Sequence, residues 1–293
     1  MNKIKSGTIS ILGKPNTGKS TLINALTGRK ISAVSEKPNT TRNKILGVLN
    51  TSKCQILFLD TPGIQKTNKF VNRIMVQSSF QAITESDITM ILVDGSKAIT
   101  NNDYEAILRA KDKKLLVVIN KIDLIKKGKI LKIVDSLKSK FPFIEHFIPI
   151  SALNKDGLDI LINEITNLLP NSGRILPDDY FTDQPEKFYL SEIIREKIFN
   201  NYYEEVPYRT AVVVEDIRDE KKLTTIQAYV IVENSHHKQI IIGKGGSMIK
   251  KIGIESRVDM EEFLLCKIFL DLRVKIDSSW LRTRDKVFNF SNI

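Results

Sequence analysis

Between residues 7 and 169 the chain repeats one unit, a short apolar β-branched run followed by a stretch of helical periodicity. "TISIL" leads to a helix from Gly18, "ITMILVD" to "NNDYEAILRAK", "KLLVVINKID" to "KILKIVDSLKSK" and "HFIPIS" to "GLDILINEITNLL", with "QILFLD" as a further run. Runs with no polar face belong to strands covered on both sides, and their alternation with helices implies crossover connections. The expected class is α/β, a mostly parallel sheet flanked by helices, over residues 1–170.

From Pro170 the text "PNSGRILPDDYFTDQPEK" loses its periodicity and carries three prolines. A linker is expected at 171–185. A different order follows: an amphipathic helix "PEKFYLSEIIREKIFNNYYEE", strands "TAVVVEDI" and "LTTIQAYVIVE", a glycine loop, the helix "SMIKKIGIESRVDMEEFLL" and a last strand "CKIFLDLRVKI". This reads as a smaller α+β domain at 186–278, with a tail at 279–293.

No apolar run approaches the roughly 18 residues that span a bilayer. Gly13, Lys14 and Pro15 interrupt the first apolar run before it could serve as a signal core, so a cytosolic protein is expected. Cys54 and Cys266 lie in apolar, strand-like stretches and read as two buried thiols rather than a disulfide or metal site. The net charge is +11, and residues 1–170 hold 26 Lys/Arg against 14 Asp/Glu, while the remainder hold 19 against 20. The stretch His236–Lys251 nevertheless carries Lys238, Lys244, Lys250 and Lys251 with no acid. An anionic partner is implied there.

"GKPNTGKS" places two glycines, a lysine and a serine at phosphate-loop spacing after a strand and at a helix start. Gly13, Lys14, Asn16, Thr17 and Gly18 would wrap phosphate oxygens with backbone N–H groups, Pro15, which has none, would help form the loop, and Thr21 opens the helix beside them. Lys19 would reach the β and γ phosphates, and Ser20 would ligate Mg²⁺. In "DTPG", Asp60 would hold Mg²⁺ through water, Gly63 would meet the γ phosphate, and Thr61 and Pro62 complete the turn.

"NKID" offers Asp123 to the N1–H and 2-amino group of guanine, while Asn120 positions the loop and Lys121 covers the ring. Adenine has no donors there and would leave a carboxylate unpaired, so GTP is expected over ATP. Ser151, Ala152 and Leu153 would give backbone N–H donors to the guanine O6. Within "EKPNTTRNKILG", Thr40 or Thr41 would close over the γ phosphate and ligate Mg²⁺, and the residues do not decide which.

Together these five stretches resemble the translation-factor-like class of small GTPases. Where many such enzymes carry a glutamine after the DxxG motif, this chain has Ile64, which cannot orient water. Resemblance to GTPases with a similar loop implies that Asn16 helps hold a potassium ion. Alternatively, Asn16 only shapes the turn.

The second loop, "GKGG", is a Gly-x-x-Gly turn in an α-β-β-α-α-β unit, the pattern of a type II KH domain, which clamps about four single-stranded nucleotides. Gly243, Gly245 and Gly246 would admit the sugar-phosphate chain, Lys244, Lys250 and Lys251 would neutralise phosphates, and Ile240 to Ile242, Met248, Ile249 and Ile252 would floor the groove. With "NTTR", "DTPGI", "LSEIIREKIF", "VPY" and "VKIDSSW", the whole chain resembles the bacterial Era family, a GTPase joined to a type II KH domain. That resemblance implies GTP/GDP and Mg²⁺ as ligands, with the 3′ end of 16S rRNA in the 30S subunit as partner. It also implies a role in small-subunit maturation. A monomer is expected. The alternative is a GTPase whose second domain docks a protein or membrane surface. Peripheral association with the inner face of the cell membrane is a separate expectation, since the basic residues 1–170 would attract anionic lipid.

Overall fold

The computed structural model describes residues 4–34, 45–60, 82–220, 223–281 and 283. Thr40, Thr41, Thr61, Pro62 and Gly63, all expected at the nucleotide, lie outside the described residues, as does Ile64. The chain forms two compact units, and among the described residues the division falls between Asp183 and Gln184.

The first unit is built on a six-stranded sheet in the order β2-β3-β1-β4-β5-β6. Its strands are β1 (Lys5–Leu12), β2 (Ile45–Asn50), β3 (Cys54–Asp60), β4 (Ile88–Asp94), β5 (Lys114–Asn120) and β6 (His146–Pro149). All neighbours are parallel except β2 and β3. Every residue of β3 and β4 is buried, because a separate apolar core covers each face of the sheet. Helices α2 (Asn101–Arg109) and α3 (Lys127–Lys140) cross over between the parallel neighbours β4, β5 and β6, while α1 (Lys19–Thr27) leads from β1 to β2 and α4 (Leu158–Leu168) follows β6. The sheet reverses direction at β1, so the crevice at its carboxyl ends opens beside the first glycine loop.

The expected linker is not a free spacer over most of its length. Gly173 N–H donates to Ile4 O at 2.9 Å, Gln55 Oε1 accepts from the N–H groups of Ile175 and Leu176 at 2.7 and 2.8 Å, and Val48 N–H donates to Phe181 O at 2.9 Å. An isolated antiparallel bridge joins Gly47 to Thr182. Residues 178–183 thus run along the outer edge of β2, an edge that would otherwise present unpaired backbone groups.

The second unit contains α5 (Glu186–Asn201), β7 (Thr210–Glu220), β8 (Leu223–Val232), α6 (Ser235–Ile242), α7 (Ser247–Leu264) and β9 (Ile268–Ile276), with sheet order β7-β8-β9. β7 and β8 are antiparallel and β8 and β9 parallel. One face packs on the helices through Leu190, Ile194, Ile226, Val230, Ile241, Ile252 and Met260. The other is capped by Trp280, buried with Ala211 and Ile231. Trp280 therefore belongs to the packed unit, although the sequence reading put it in the tail.

Three expectations need correction. Helix α5 is not amphipathic: Phe188 through Glu196 are all buried, and Glu192 and Arg195 form a two-pronged ion pair one turn apart. Cys266 is exposed, because it sits in the turn before β9 rather than in the strand, whereas Cys54 is buried. Ile241 and Ile252 are fully buried core residues and do not floor a groove.

Candidate nucleotide and nucleic-acid sites

The first glycine loop follows β1 and delivers the chain into α1. Gly18, at its end, has φ +96°, and a Cβ there would come within 2.3 Å of the Asn120 amide nitrogen. Glycine is required on both counts. The loop and the "NKID" motif are thereby in direct contact: Asn120 Nδ2 donates to Thr17 O at 2.8 Å, and Lys121 Nζ to Asn16 O at 2.7 Å.

Lys19 curls inside the loop, where its ammonium donates to Gly13 O and Lys14 O, each at 3.0 Å. Burial lowers its pKa from 10.5 to about 8, against the opposing pull of the Asp60 charge. Asp60, fully buried at the end of β3, accepts from Ser20 Oγ at 3.2 Å. A buried carboxylate beside a hydroxyl at the mouth of a phosphate loop is an all-oxygen donor set suited to Mg²⁺.

At the other side of the crevice Asp123 is exposed, and its Oδ1 accepts from Ser151 Oγ at 2.5 Å. Asn120 Oδ1 accepts from Ala152 N–H at 2.9 Å, which locks the "SAL" turn to β5. Two of the three backbone donors expected for guanine are thus engaged within the protein, since Ser151 N–H also donates to Asp156 O at 3.0 Å. Leu153 lies 76% exposed at the rim.

Lys14 points away from the loop. Its Nζ pairs with Asp103 at 2.7 Å and contacts Thr100 Oγ1 at 3.3 Å, in the capping box of α2. Only its backbone can serve a phosphate in this conformation.

Sequence reasoning missed Asp94. It ends β4 as Asp60 ends β3, and its Oδ2 pairs with Lys121 Nζ at 2.8 Å. Burial pushes this carboxyl up, but bonds from Lys121 and Ser96 outweigh it and hold the pKa below the usual carboxylate range. Asp94 therefore fixes the lysine that holds Asn16 O. The only available signal was its place at the end of an apolar run.

In the second unit, "GKGG" joins α6 to α7. A Cβ on Gly243, whose φ is +73°, would meet Met248 Cγ at 2.6 Å, whereas Gly245 and Gly246 face open space. Gly243 shapes the turn, and the other two leave room for a ligand at the N-terminus of an 18-residue helix. The buried Tyr202 hydroxyl donates to Ile241 O at 2.6 Å and tethers the turn's entry, and burial raises its pKa.

Between α7 and β9 lies a groove of about 280 Å³ lined by Ile249, Lys250, Gly253, Ile254, Arg257, Phe269, Leu270 and Leu272. Lys244 and Lys250 are exposed, and Ile242 is half-buried beside the turn. Lys251 is absent from this lining and pairs with Glu255 at 3.8 Å. The β9 residues were not anticipated. Their signal was the alternation of "IFLDLRV" on an edge strand, which puts Leu270 and Leu272 on one face.

No helix among the described residues is long and apolar enough to cross a membrane. A family model described as "50S ribosome-binding GTPase" matches residues 8–121, and a KH domain model matches residues 205–281. GTPase Era of Syntrophus aciditrophicus is 42% identical over 282 residues, covering 95% of this chain and 92% of the relative. GTPase Era of Geobacter metallireducens is 43% identical over 283 residues, covering 95% of each.

Among solved structures, a crystal structure of Era with MgGDPNP and nucleotides 1506–1542 of 16S ribosomal RNA matches at TM-score 0.94 and 37% identity over 98% of both chains. Aquifex aeolicus Era bound to GDP and AlF4⁻ also matches at TM-score 0.94 and 37% identity, over 98% of this chain and 99% of that one. A glycine loop at phosphate-loop spacing, a carboxylate beside its serine and an "NKID" turn in one unit, followed by a KH unit, are thus matched over nearly the full length. The chain belongs to the GTPase Era family.

Proposed function

We propose that this GTPase binds and hydrolyses Mg²⁺–GTP in its first unit and holds the 3′ end of 16S rRNA in the KH groove of its second, acting in 30S subunit assembly. The observation that carries the reading is the full-length similarity to an Era captured with MgGDPNP and 16S rRNA nucleotides 1506–1542. Lys19 would neutralise the β and γ phosphates, with N–H groups of the loop from Asn16 to Ser20 and the start of α1 around them, and Thr21 behind. Ser20 and Asp60 would hold Mg²⁺, the first directly and the second through water, with Thr40 or Thr41 closing the site. Bound Mg²⁺ supplies charge neutralisation for the phosphoryl group in transfer. Asp123 would read guanine N1–H and the 2-amino group, and Leu153 N–H would face O6. Titration of Mg²⁺–GTP against Mg²⁺–ATP by calorimetry tests this: a preference of about 10³-fold or more is expected, and equal affinities would refute the guanine reading.

In the second unit, Gly243, Gly245 and Gly246 would let the RNA backbone approach, and Lys244 and Lys250 would meet phosphates. Ile242, Met248, Ile249, Phe269 and Leu272 would contact bases, and Arg257 would extend the positive rim.

Lys19 makes nucleotide affinity pH-dependent. In the nucleotide-free protein its folded pKa, about 8, lies below the unfolded 10.5. The unfolded state then binds more protons between those values, so the free protein gains stability as pH rises through that window. Phosphates favour the ammonium form, so binding takes up a proton above pH 8, and affinity falls by up to about tenfold per pH unit from there. Calorimetry in buffers of different ionisation enthalpy will detect this uptake at pH 8.5 and little at pH 6.5.

Potassium is proposed as the ion that substitutes for a missing catalytic side chain, since Ile64 cannot direct water and Asn16 takes a left-handed turn conformation, φ +64°. Turnover is expected to rise about tenfold or more when K⁺ replaces Na⁺, an increment of roughly 1.4 kcal/mol in barrier. Asn16→Ala should erase the difference. Equal rates in both salts would refute the role.

A further inference from the structure

The Asp60 carboxylate is shared by a second serine that no phosphate-loop motif contains. Ser32 Oγ lies 2.8 Å from Asp60 Oδ2, shorter than the 3.2 Å contact from Ser20 to the same oxygen. Ser32 is 1% exposed. It is held in place by Asn24, whose Oδ1 accepts from the N–H groups of Ile31 and Ser32 at 2.8 and 2.9 Å, and whose Nδ2 donates to Ser32 O at 2.8 Å. Asn24 follows Ser20 by four residues on α1, so both project from one helix face. Ser20, Asp60, Ser32 and Asn24 form a closed circuit from α1 through β3 to the chain leaving α1.

We infer that Ser32 is a positioning residue for magnesium. Its hydroxyl donates to Asp60 and fixes the carboxylate's orientation, while Asn24 fixes Ser32. A carboxylate is an acceptor only, so the Ser32 hydroxyl donates to Asp60 Oδ2 and turns that oxygen toward Ser20. Partners of this kind, one step removed from the ion, typically change metal affinity 10- to 100-fold when removed. The inference rests on the Mg²⁺–GTP reading above. A ring serving only to pack the chain after α1 would change stability without changing the response to magnesium.

The test is dissociation of a fluorescent GDP analogue from the full chain, measured against free Mg²⁺, with Ser32→Ala beside the unaltered protein. The free Mg²⁺ that half-suppresses release should rise about tenfold or more in Ser32→Ala, while release in excess EDTA stays within about twofold. Ser32→Cys keeps a similar volume with a weaker donor and should fall between the two; it also serves if the alanine variant does not fold. Asn24→Ala, which retains the hydroxyl but frees it, should shift the midpoint in the same direction. An unchanged midpoint in both Ser32 variants, with release from the unaltered protein still governed by Mg²⁺, overturns the role of Ser32. If release from the unaltered protein ignores Mg²⁺, it is the underlying reading that fails.

Discussion

Asp123→Asn is expected to lower GTP affinity by roughly 10²- to 10⁴-fold and to create affinity for xanthosine triphosphate. The carboxylate accepts two donors from guanine, and charge-assisted hydrogen bonds contribute about 1.5–3 kcal/mol each. An asparagine in the same orientation presents one acceptor and one donor. Guanine's 2-amino group then faces an N–H₂ and is left unpaired, whereas xanthine carries an oxygen at that position and pairs. Asp123 is well placed for such a swap because Ser151 Oγ donates to its Oδ1 at 2.5 Å and fixes the side chain's plane. A serine hydroxyl can donate to the amide oxygen equally well. Competition of both triphosphates against a fluorescent GDP analogue provides the check. A variant that loses GTP without gaining the xanthine nucleotide would mean that Asp123 shapes the turn rather than reading the base.

Lys244→Asp combined with Gly245→Asp is expected to reduce affinity for single-stranded RNA by about 100-fold or more. Loss of a charge-assisted phosphate contact accounts for about 1.5–3 kcal/mol, and two carboxylates at the same turn add repulsion. Both positions are exposed, and a Cβ on Gly245 meets nothing within 4 Å. Gly245 nevertheless has φ +60°, left-handed backbone that an aspartate adopts only at a cost, so the thermal midpoint should fall modestly and the affinities are compared well below it. Gly243 would be a poorer choice, since its Cβ would strike Met248 and confound folding with binding. The salt dependence supplies an independent readout: one lost phosphate contact should flatten the slope of log affinity against log salt by about 0.7. Unchanged RNA affinity in the double variant would favour a docking module in place of an RNA clamp.

The parallel strands were legible because two-sided burial writes itself as uninterrupted apolar text, and each crossover helix keeps its own period. The antiparallel edge strand β2 was not. "ILGVLN" contains a glycine and has a mixed burial pattern, and among the described residues its outer edge meets the irregular segment 178–183. That covering segment was unreadable for a related reason. It is held by side-chain amides such as Gln55 and by scattered backbone bonds, and such contacts leave no periodicity behind.

In the second unit, three consecutive isoleucines were read as one surface. A helix turns them 100° apart: Ile241 is fully buried in the core, Ile240 packs half-buried against it, and Ile242 stays at the turn. The phosphate and base motifs were legible at the level of residue type because their chemistry demands fixed spacing. Ser32, Asn24 and Asp94 were not, because each acts through a partner that only the fold supplies, as when Ser32 meets Asp60 across 28 positions.

If the proposed GTP site and RNA site act as one switch, the nucleotide held at the first glycine loop sets RNA affinity at the second. The direct test is the affinity of the full chain for a short single-stranded RNA copied from the 3′ end of 16S rRNA, at one fixed salt concentration, with a non-hydrolysable GTP analogue and again with GDP. The analogue is expected to tighten binding at least tenfold, about 1.4 kcal/mol of coupling. Equal affinity in the two nucleotide states would contradict the switch and leave the KH unit as a tether.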